Sequence, residues 1–222
     1  YSVSFSPDNS KIAVGFANSI NVNVLSGNDL SLLYSPDTGD IQKGTLFAVS
    51  WSSDGKFLYA GGGYNKRYKE KYEEKWVSPI RYPILKWQDA GKGTYTEIIA
   101  SNDRIIHILP LKDGGIVYAS TEPSFGIIDK TDNRKVYKSA DLPRYSKGES
   151  RILVSQDGAE ISFHYKIIDK VSLLFSIADG ILMEQPGGKR YVDTFNPNTS
   201  YKNGINVEKW AGSSSPMLNG KP

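Results

Sequence analysis

The segment from Tyr64 to Trp76 contains a dense mixture of charged and aromatic side chains. Together with Arg81 it carries six basic against three acidic residues. Tyrosine, tryptophan and arginine are the side chains that most often dominate binding energy at protein interfaces. We therefore expect a partner-binding surface formed by seven residues of this segment: Tyr64, Lys66, Arg67, Tyr68, Lys69, Tyr72 and Trp76.

The same segment has two other interpretations on sequence alone. Cations interleaved with aromatic rings can neutralise phosphates and stack on bases. The three interspersed glutamates leave a local excess of only three positive charges, which argues against a nucleic-acid partner. Alternatively, the segment is a solvated β-hairpin extension or a short charged helix that only covers a neighbouring element.

Residue types that perform catalysis or hold metals are scarce or poorly spaced. The sequence has no cysteine, which excludes disulfides, thiolate metal sites and cysteine nucleophiles. Its two histidines, His107 and His164, do not have the close spacing of metal ligands, and no Gly-x-Ser-x-Gly motif presents a nucleophilic serine. We expect no catalytic residue, no metal and no cofactor, and hence a protein that is not an enzyme.

An internal repeat supplies the elements that must position the charged segment. Four times, an alternating apolar run is followed by a reversal containing Asp and then by a second apolar run. The reversals are Asp8-Asn9, Asp54-Gly55, Asp113-Gly114 and Asp157-Gly158. Because Asn and Gly tolerate the positive φ of a tight turn, each copy predicts a β-hairpin.

A third apolar run, a second turn and a fourth run can be placed after these hairpins. Each unit therefore predicts four antiparallel strands, which is the composition of a propeller blade. The stretch from Asp129 to Asn133 lacks the glycine and distal glutamate of a calcium loop and predicts one of the second turns. The interval from Asp54 to Asp113 is the longest, so an insertion containing Tyr64 to Trp76 is expected between the second and third strands of the second unit.

Two of the hairpins carry a family resemblance. Residues 5–13 (Phe-Ser-Pro-Asp-Asn-Ser-Lys-Ile-Ala) and 51–58 (Trp-Ser-Ser-Asp-Gly-Lys-Phe-Leu) resemble the first hairpin of WD-repeat blades. The resemblance covers residues 1–186 and implies an all-β fold, a β-propeller with about four four-stranded antiparallel blades that belong to a larger ring of about seven. The Gly-His and Trp-Asp dipeptides of the family are absent, so its structural His to Asp hydrogen-bond network is not expected.

Residues 187–222 are rich in Asn, Gly, Ser and Pro, and predict an irregular connection toward a further blade. This stretch is also similar to segments of bacterial WD-repeat proteins, some of which are joined to a caspase-like peptidase domain. Because the sequence begins inside a strand-like run, we expect the remaining blades or a second domain in a longer chain. A ring cut in this way leaves an apolar blade face uncovered, which predicts association unless a neighbour covers it.

The WD-repeat resemblance implies a protein-interaction scaffold with a protein partner. A second possibility is an enzyme with a small-molecule site in the propeller funnel, where Asp37, Asp40 or Asp103 would act as a base. A third is a structural spacer beside a catalytic domain. The net charge of +3 is too small for a general nucleic-acid or membrane-surface binder. No uninterrupted apolar stretch predicts a membrane span or signal peptide, and we expect a cytoplasmic location.

Overall fold

The computed structural model describes residues 2–39, 41–72, 74–121 and 124–139, followed by the strands 151–154, 160–164, 172–176, 182–185, 207–208 and 217–218. Regular structure in these residues consists of β-strands, apart from a 3-10 turn at Asp89–Gly91. All strand pairs of the described residues are antiparallel. The predicted all-β class is confirmed.

Most strands belong to four sheets, which we call blades 1 to 4. Blade 1 contains β1 (Ser2–Phe5), β2 (Lys11–Gly15), β3 (Val22–Ser26) and β4 (Leu32–Tyr34). Blade 2 contains β5 (Ala48–Trp51), β6 (Leu58–Gly61), β10 (Ile80–Trp87) and β11 (Tyr95–Ser101). Blade 3 contains β12 (Ile105–Pro110), β13 (Ile116–Ser120), β14 (Ser124–Ile128) and β15 (Arg134–Ser139). Blade 4 contains β16 (Arg151–Val154), β17 (Glu160–His164), β18 (Ser172–Ser176) and β19 (Leu182–Gln185).

The remaining strands lie outside this pattern. β7 (Lys66–Arg67), β8 (Glu70–Tyr72) and β9 (Lys75–Val77) interrupt blade 2 between its second and third strands, where the sequence predicts an insertion. β20 (Val207–Glu208) and β21 (Met217–Leu218) form a short pair. The other residues of the predicted connection 187–222 lie outside the described part. Within each blade the four strands are neighbours in chain order, so the predicted four-stranded repeat is confirmed.

A serine and an aspartate hold the first turn of blade 1. Ser6 Oγ donates a hydrogen bond to Asp8 Oδ1 (2.6 Å) and accepts one from the backbone N–H of Lys11 (3.0 Å). The hydroxyl thereby fixes both sides of the turn. The hydrogen bond from Ser6 and those from Ser10 lower the pKa of Asp8 from its ordinary value of 3.8 to about 2, because they favour the carboxylate.

Blade 2 repeats this arrangement with Ser52 and Asp54, whose Oγ to Oδ1 distance is 2.7 Å. The residues that follow the first three aspartates, Asn9, Gly55 and Gly114, have positive φ angles of 59°, 73° and 91°. The turn geometry expected from Asp-Asn and Asp-Gly is therefore present in blades 1, 2 and 3. The fourth reversal, Asp157-Gly158, lies outside the described residues.

Successive side chains of a strand point to opposite faces, so the apolar runs of blade 2 give it two apolar faces, one toward blade 1 and one toward blade 3. Blades 1 and 2 share one cluster, in which these residues meet: Ala13, Val22 and Val24 from blade 1, and Val49, Trp51, Leu58, Ala60, Leu85 and Trp87 from blade 2. Blades 2 and 3 share a second, formed by Ala48, Tyr59, Ile84, Ile98, Ala100, Ile105, Ile108, Ile116, Tyr118 and Ile128. Face-to-face packing of consecutive sheets is the architecture of a propeller.

Polar side chains also join neighbouring blades. The indole N–H of Trp51 donates to the carbonyl oxygen of Ser4 in blade 1 (3.0 Å). In blade 2 the buried ammonium of Lys86 lies 2.7 Å from a carboxylate oxygen of Asp132 in the β14–β15 turn, and 4.3 Å from the centre of the Phe57 ring. Lys86 is only 7% exposed, so it needs this anionic partner.

The antiparallel order of strands decides at which end of the stack each loop emerges. In blades 1 to 3 the Asp turns lie at one end. The connections among these blades and the loops between their second and third strands lie at the other, which we call the connection end. The insertion that interrupts blade 2 belongs to the connection end, because it joins β6 to β10.

We predict that the contribution of Asp8 to stability depends on pH. Because its folded pKa of about 2 lies below the ordinary 3.8, the ionised carboxylate stabilises the fold above pH 4, and this contribution is lost as the pH falls toward 2. Urea unfolding of Asp8→Asn and native protein should differ at pH 6 and converge near pH 2. A difference of constant size over this range would contradict the prediction. Ser6→Ala should reduce the pH dependence.

Candidate protein-interaction site

The insertion in blade 2 is one continuous β-hairpin, which we call the projecting hairpin (residues 66–81). At its base Lys66 pairs with Arg81, and at its tip Tyr72 pairs with Lys75. The two paired segments share one register, since Arg67–Ile80 and Glu70–Val77 are three residues apart on both sides of the hairpin. Pro79 interrupts the ladder because it has no N–H, although its carbonyl still accepts a hydrogen bond from the N–H of Tyr68 (3.1 Å). The sequence left open a β-hairpin or a short helix for this segment, and the structure shows a β-hairpin.

Glu97 of β11 anchors the base of the projecting hairpin. One carboxylate oxygen accepts the hydroxyl of Tyr64 (2.8 Å), and the other accepts the hydroxyl of Tyr68 (2.7 Å) and the ammonium of Lys66. The side chain of Glu97 is 15% exposed. Three donors from the insertion therefore converge on one largely buried carboxylate of the blade, which fixes the direction in which the hairpin leaves the sheet.

The contacts of this anchor shift the pKa values of Glu97 and of the two tyrosines in opposite directions. Burial raises the pKa of Glu97, but the hydrogen bonds from Lys66, Tyr68 and Tyr64 outweigh it, so the pKa of the carboxyl lies below its usual value. Burial, followed by donation to this carboxylate, raises the pKa of both tyrosines far above the ordinary value of 10.0. At neutral pH Glu97 is therefore a carboxylate and both phenols are neutral.

A second ion pair ties the middle of the hairpin to its base. Arg81 donates from Nε (2.9 Å) and from Nη2 (2.7 Å) to the two carboxylate oxygens of Glu70. Both side chains are partly buried. A bidentate pair of this kind restricts geometry more strongly than a single contact between flexible chains.

The tip of the hairpin projects into solvent. Tyr72 is 65% exposed and Trp76 is 72% exposed. Val77 and Ile80, on the return strand, are also exposed. Large apolar side chains grouped on an exposed element are characteristic of interaction sites.

The seven residues predicted as a binding surface therefore fall into two groups. Tyr64, Lys66 and Tyr68 face Glu97 and hold the hairpin in place. The other four are exposed and available for contact: Arg67, Lys69, Tyr72 and Trp76. The sequence interpretation missed Glu97, whose signal is an acidic residue within the otherwise apolar and neutral run of β11, and it missed Val77 and Ile80.

Two of the acids proposed for an enzymatic alternative, Asp37 and Asp103, lie in connections between blades. Asp37 accepts the N–H of Gly39 (2.8 Å), and Asp103 accepts the N–H of Arg104 (2.8 Å), so each carboxylate stabilises its own loop. Asp40 lies outside the described residues. Among the described residues there is no group of three or more His, Cys, Asp and Glu side chains that would suit a metal ion.

The opposite end of the stack carries a depression of about 280 Å³ between the Asp turns of blades 2 and 3. Its lining includes Lys86, Lys112 and Lys130 together with the rings of Phe57 and Tyr59. Neither Asp37 nor Asp103 lines it.

Among the residues that the structure describes, no helix has the length and apolar character required to cross a bilayer.

Comparison with known proteins identifies the architecture. No protein-family model and no curated protein matches this sequence. Among solved structures, the WD40 repeats of RRP9 superpose with a TM-score of 0.61 at 12% identity, covering 83% of this chain and 50% of that one. KlAtg21, solved in complex with the coiled coil of AgAtg16, gives 0.56 at 11%, covering 86% and 56%. Hydrazine synthase of Kuenenia stuttgartiensis gives 0.62 at 16%, covering 83% and 48%.

The fold is that of a WD-repeat-like β-propeller. At these identities the likeness concerns fold alone, and this chain spans about half the length of the structures it matches. In this propeller, serine hydroxyls hold the first turns of blades 1 and 2. The projecting hairpin extends from the second and third strands of a blade, at the connection end.

We predict that Glu97→Ala releases the projecting hairpin. The substitution leaves the phenol of buried Tyr64 without its acceptor and Lys66 without its ion-pair partner, a loss of about 1 to 3 kcal/mol of local stability. Trypsin should then cut at Arg67, Lys69 or Lys71 at least about fivefold faster, because cleavage follows the open population.

Glu74→Ala is the matched control. It removes only the ion pair with Lys71, in which the two side chains are 89% and 52% exposed, so the cleavage rate should stay near that of the native protein. Equal cleavage of Glu97→Ala and native protein would show that the anchor does not hold the hairpin.

Proposed function

We propose that this chain is a protein-interaction module and that the projecting hairpin is its main contact surface. The observation that carries the proposal is the contrast between the two ends of the hairpin. Its base is fixed by Glu97 and by the Arg81–Glu70 pair, whereas its tip exposes Tyr72 and Trp76.

A fixed base with exposed aromatic residues favours binding. The entropy cost of association is smaller when the contact element is already held in one orientation. Tryptophan and tyrosine contribute large apolar area together with a polar atom, and they are enriched among residues that dominate interface energies. A hairpin that served only to cover a neighbouring blade would bury these rings.

Two other functions are less well supported. The enzymatic alternative would need acids that converge on a cavity, whereas Asp37 and Asp103 each bond within their own loops. A spacer between domains would not require an exposed aromatic tip. The propeller fold agrees with a binding role, and KlAtg21, which has the same fold, was solved with a coiled coil as its partner.

The cellular setting belongs to the same proposal. We expect the module to act in the cytoplasm as part of a longer protein that supplies further blades or a second domain. We also propose that the protein is bacterial and that a caspase-like domain adjoins this module, on the basis of the similarity of residues 187–222 to bacterial WD-repeat proteins.

The function can be tested by photo-crosslinking in the native host. A benzophenone amino acid placed at Trp76 or Tyr72 of the full-length protein should form a discrete adduct with one partner, which mass spectrometry would identify. The same label at Lys112, an exposed residue in the Asp turn of blade 3, should not form it.

The identified partner is then purified and its affinity for the native chain is measured. We predict that Trp76→Ala weakens binding by about 2 kcal/mol or more, because an aromatic anchor at an interface typically contributes that much. Lys112→Ala should leave the affinity unchanged. If Trp76→Ala and Tyr72→Ala both bind the partner as tightly as native protein, the hairpin is not the contact surface.

A further inference from the structure

The register of the projecting hairpin sorts its side chains onto two faces. Directly paired residues share a face, and faces alternate along each strand. One face contains Lys66, Tyr68 and Glu70 and turns toward the anchor on the blade. We call the other the outward face. The paired residues Arg67, Lys71, Trp76 and Ile80 lie on it, and the common register places Lys69 and Ser78, between the strands, on the same face. All six residues are exposed.

The first strand of the outward face presents three cations in a row. Arg67 lies in β7 and Lys71 in β8, and Lys69 lies between these two strands. At the rise of about 3.3 to 3.4 Å per residue of an extended chain, the three cations follow one another at intervals of about 6.6 to 6.8 Å. Within the described part of the chain, no carboxylate lies within ion-pair distance of Arg67 or Lys69. Lys71 pairs with Glu74, but both side chains are largely exposed, and such a pair is easily exchanged.

The second strand of the outward face presents apolar surface beside these cations. Trp76 pairs with Lys71, and Ile80 pairs with Arg67. Ile80 is 43% exposed despite its position near the base of the hairpin. Arg67 donates one hydrogen bond to the carbonyl of Ser78 (2.8 Å), which holds its guanidinium across the same face. The outward face is therefore a cationic row flanked by an apolar strip.

We propose that the outward face binds an extended acidic segment of a partner protein, with carboxylates at alternate residues and an apolar side chain against Trp76 or Ile80. An extended peptide repeats its side chains every second residue at the same interval as the three cations. The charge is complementary, and the apolar strip accommodates a side chain that a purely electrostatic partner would lack. This inference rests on the proposed function, since it specifies what the projecting hairpin binds.

Single-stranded nucleic acid fits the outward face less well. Its binding combines a basic groove with several aromatic rings on which successive bases stack. The outward face has one ring, that of Trp76, because the register turns Tyr72 to the other face. Glu74 at the tip further lowers the local positive charge.

Fluorescence anisotropy with defined probes tests the proposal on the native chain. The first probe is a labelled peptide, Gly-Ser-Glu-Leu-Glu-Ser-Glu-Leu-Gly, and the second replaces each glutamate by glutamine. The third is a labelled oligothymidine of similar length. The glutamate peptide should bind at least about tenfold more tightly than the glutamine peptide, because three exposed charge pairs are lost in the latter.

Charge reversal on either face of the hairpin localises the contact. Lys69→Glu should weaken binding of the glutamate peptide by about fivefold or more, because it removes one attraction and adds a repulsion. Lys75→Glu is the matched control. It reverses a charge on the same hairpin but on the opposite face, where the side chain forms no direct pair with a peptide on the outward face, so its effect should stay below about twofold.

Three outcomes would overturn the proposal. They are equal binding of the two peptides, equal effects of Lys69→Glu and Lys75→Glu, and tighter binding of oligothymidine than of the glutamate peptide. Measurements with the crosslinked partner distinguish failure of the acidic-segment proposal from failure of the proposed function. If binding of that partner requires Trp76 but is unaffected by Lys69→Glu, the proposed function is supported and the acidic segment is contradicted. If Lys69→Glu weakens peptide binding and Lys75→Glu does not, the acidic segment is supported even when no partner is found.

Discussion

Face-to-face packing of apolar blade surfaces is the constraint from which the other features follow. Blade 2 is apolar on both sides, and exposing either side to water would cost much free energy. Its Trp51 and Trp87 share one buried cluster with Ala13, Val22 and Val24 of blade 1, and its Ala48 and Ile84 share a second with isoleucines of blade 3. Side chains in such clusters pack at the density of a protein interior. Loops are thereby confined to the two ends of the stack.

The projecting hairpin at the connection end and the Asp turns at the opposite end are stabilised in different ways. The Asp turns are short and self-contained, since Ser6 and Ser52 satisfy the local donors and acceptors. The projecting hairpin is too long to be stabilised by its own turn, because an isolated two-stranded hairpin is only marginally stable in water. Glu97 stabilises the hairpin by accepting hydrogen bonds from the hydroxyls of Tyr64 and Tyr68 and by pairing with Lys66. The tip is then free to expose aromatic rings while its direction stays fixed.

Much of the fold could be predicted from the sequence because its signals are local. The alternation of apolar residues depends only on the pleat of a strand, and Asn9, Gly55 and Gly114 take the positive φ angles that their reversals require. The insertion was placed correctly between two strands by the spacing of Asp54 and Asp113. The candidate site could be predicted only in part. Tyr64, Lys66 and Tyr68 have the same residue types as Tyr72 and Lys69, and composition cannot separate residues that anchor from residues that are exposed.

The sequence by itself determined the strand periodicity, the turns and the presence of a basic, aromatic insertion, because each depends on neighbours within a few residues. Only the tertiary structure decided that Glu97, far along the chain from Tyr64, would receive its hydroxyl. It also decided that Arg67, Lys69 and Lys71 would share one face with Trp76 and Ile80, because pairing register depends on where two strands meet. Contacts between residues distant in sequence are set by blade packing, and no local pattern records them.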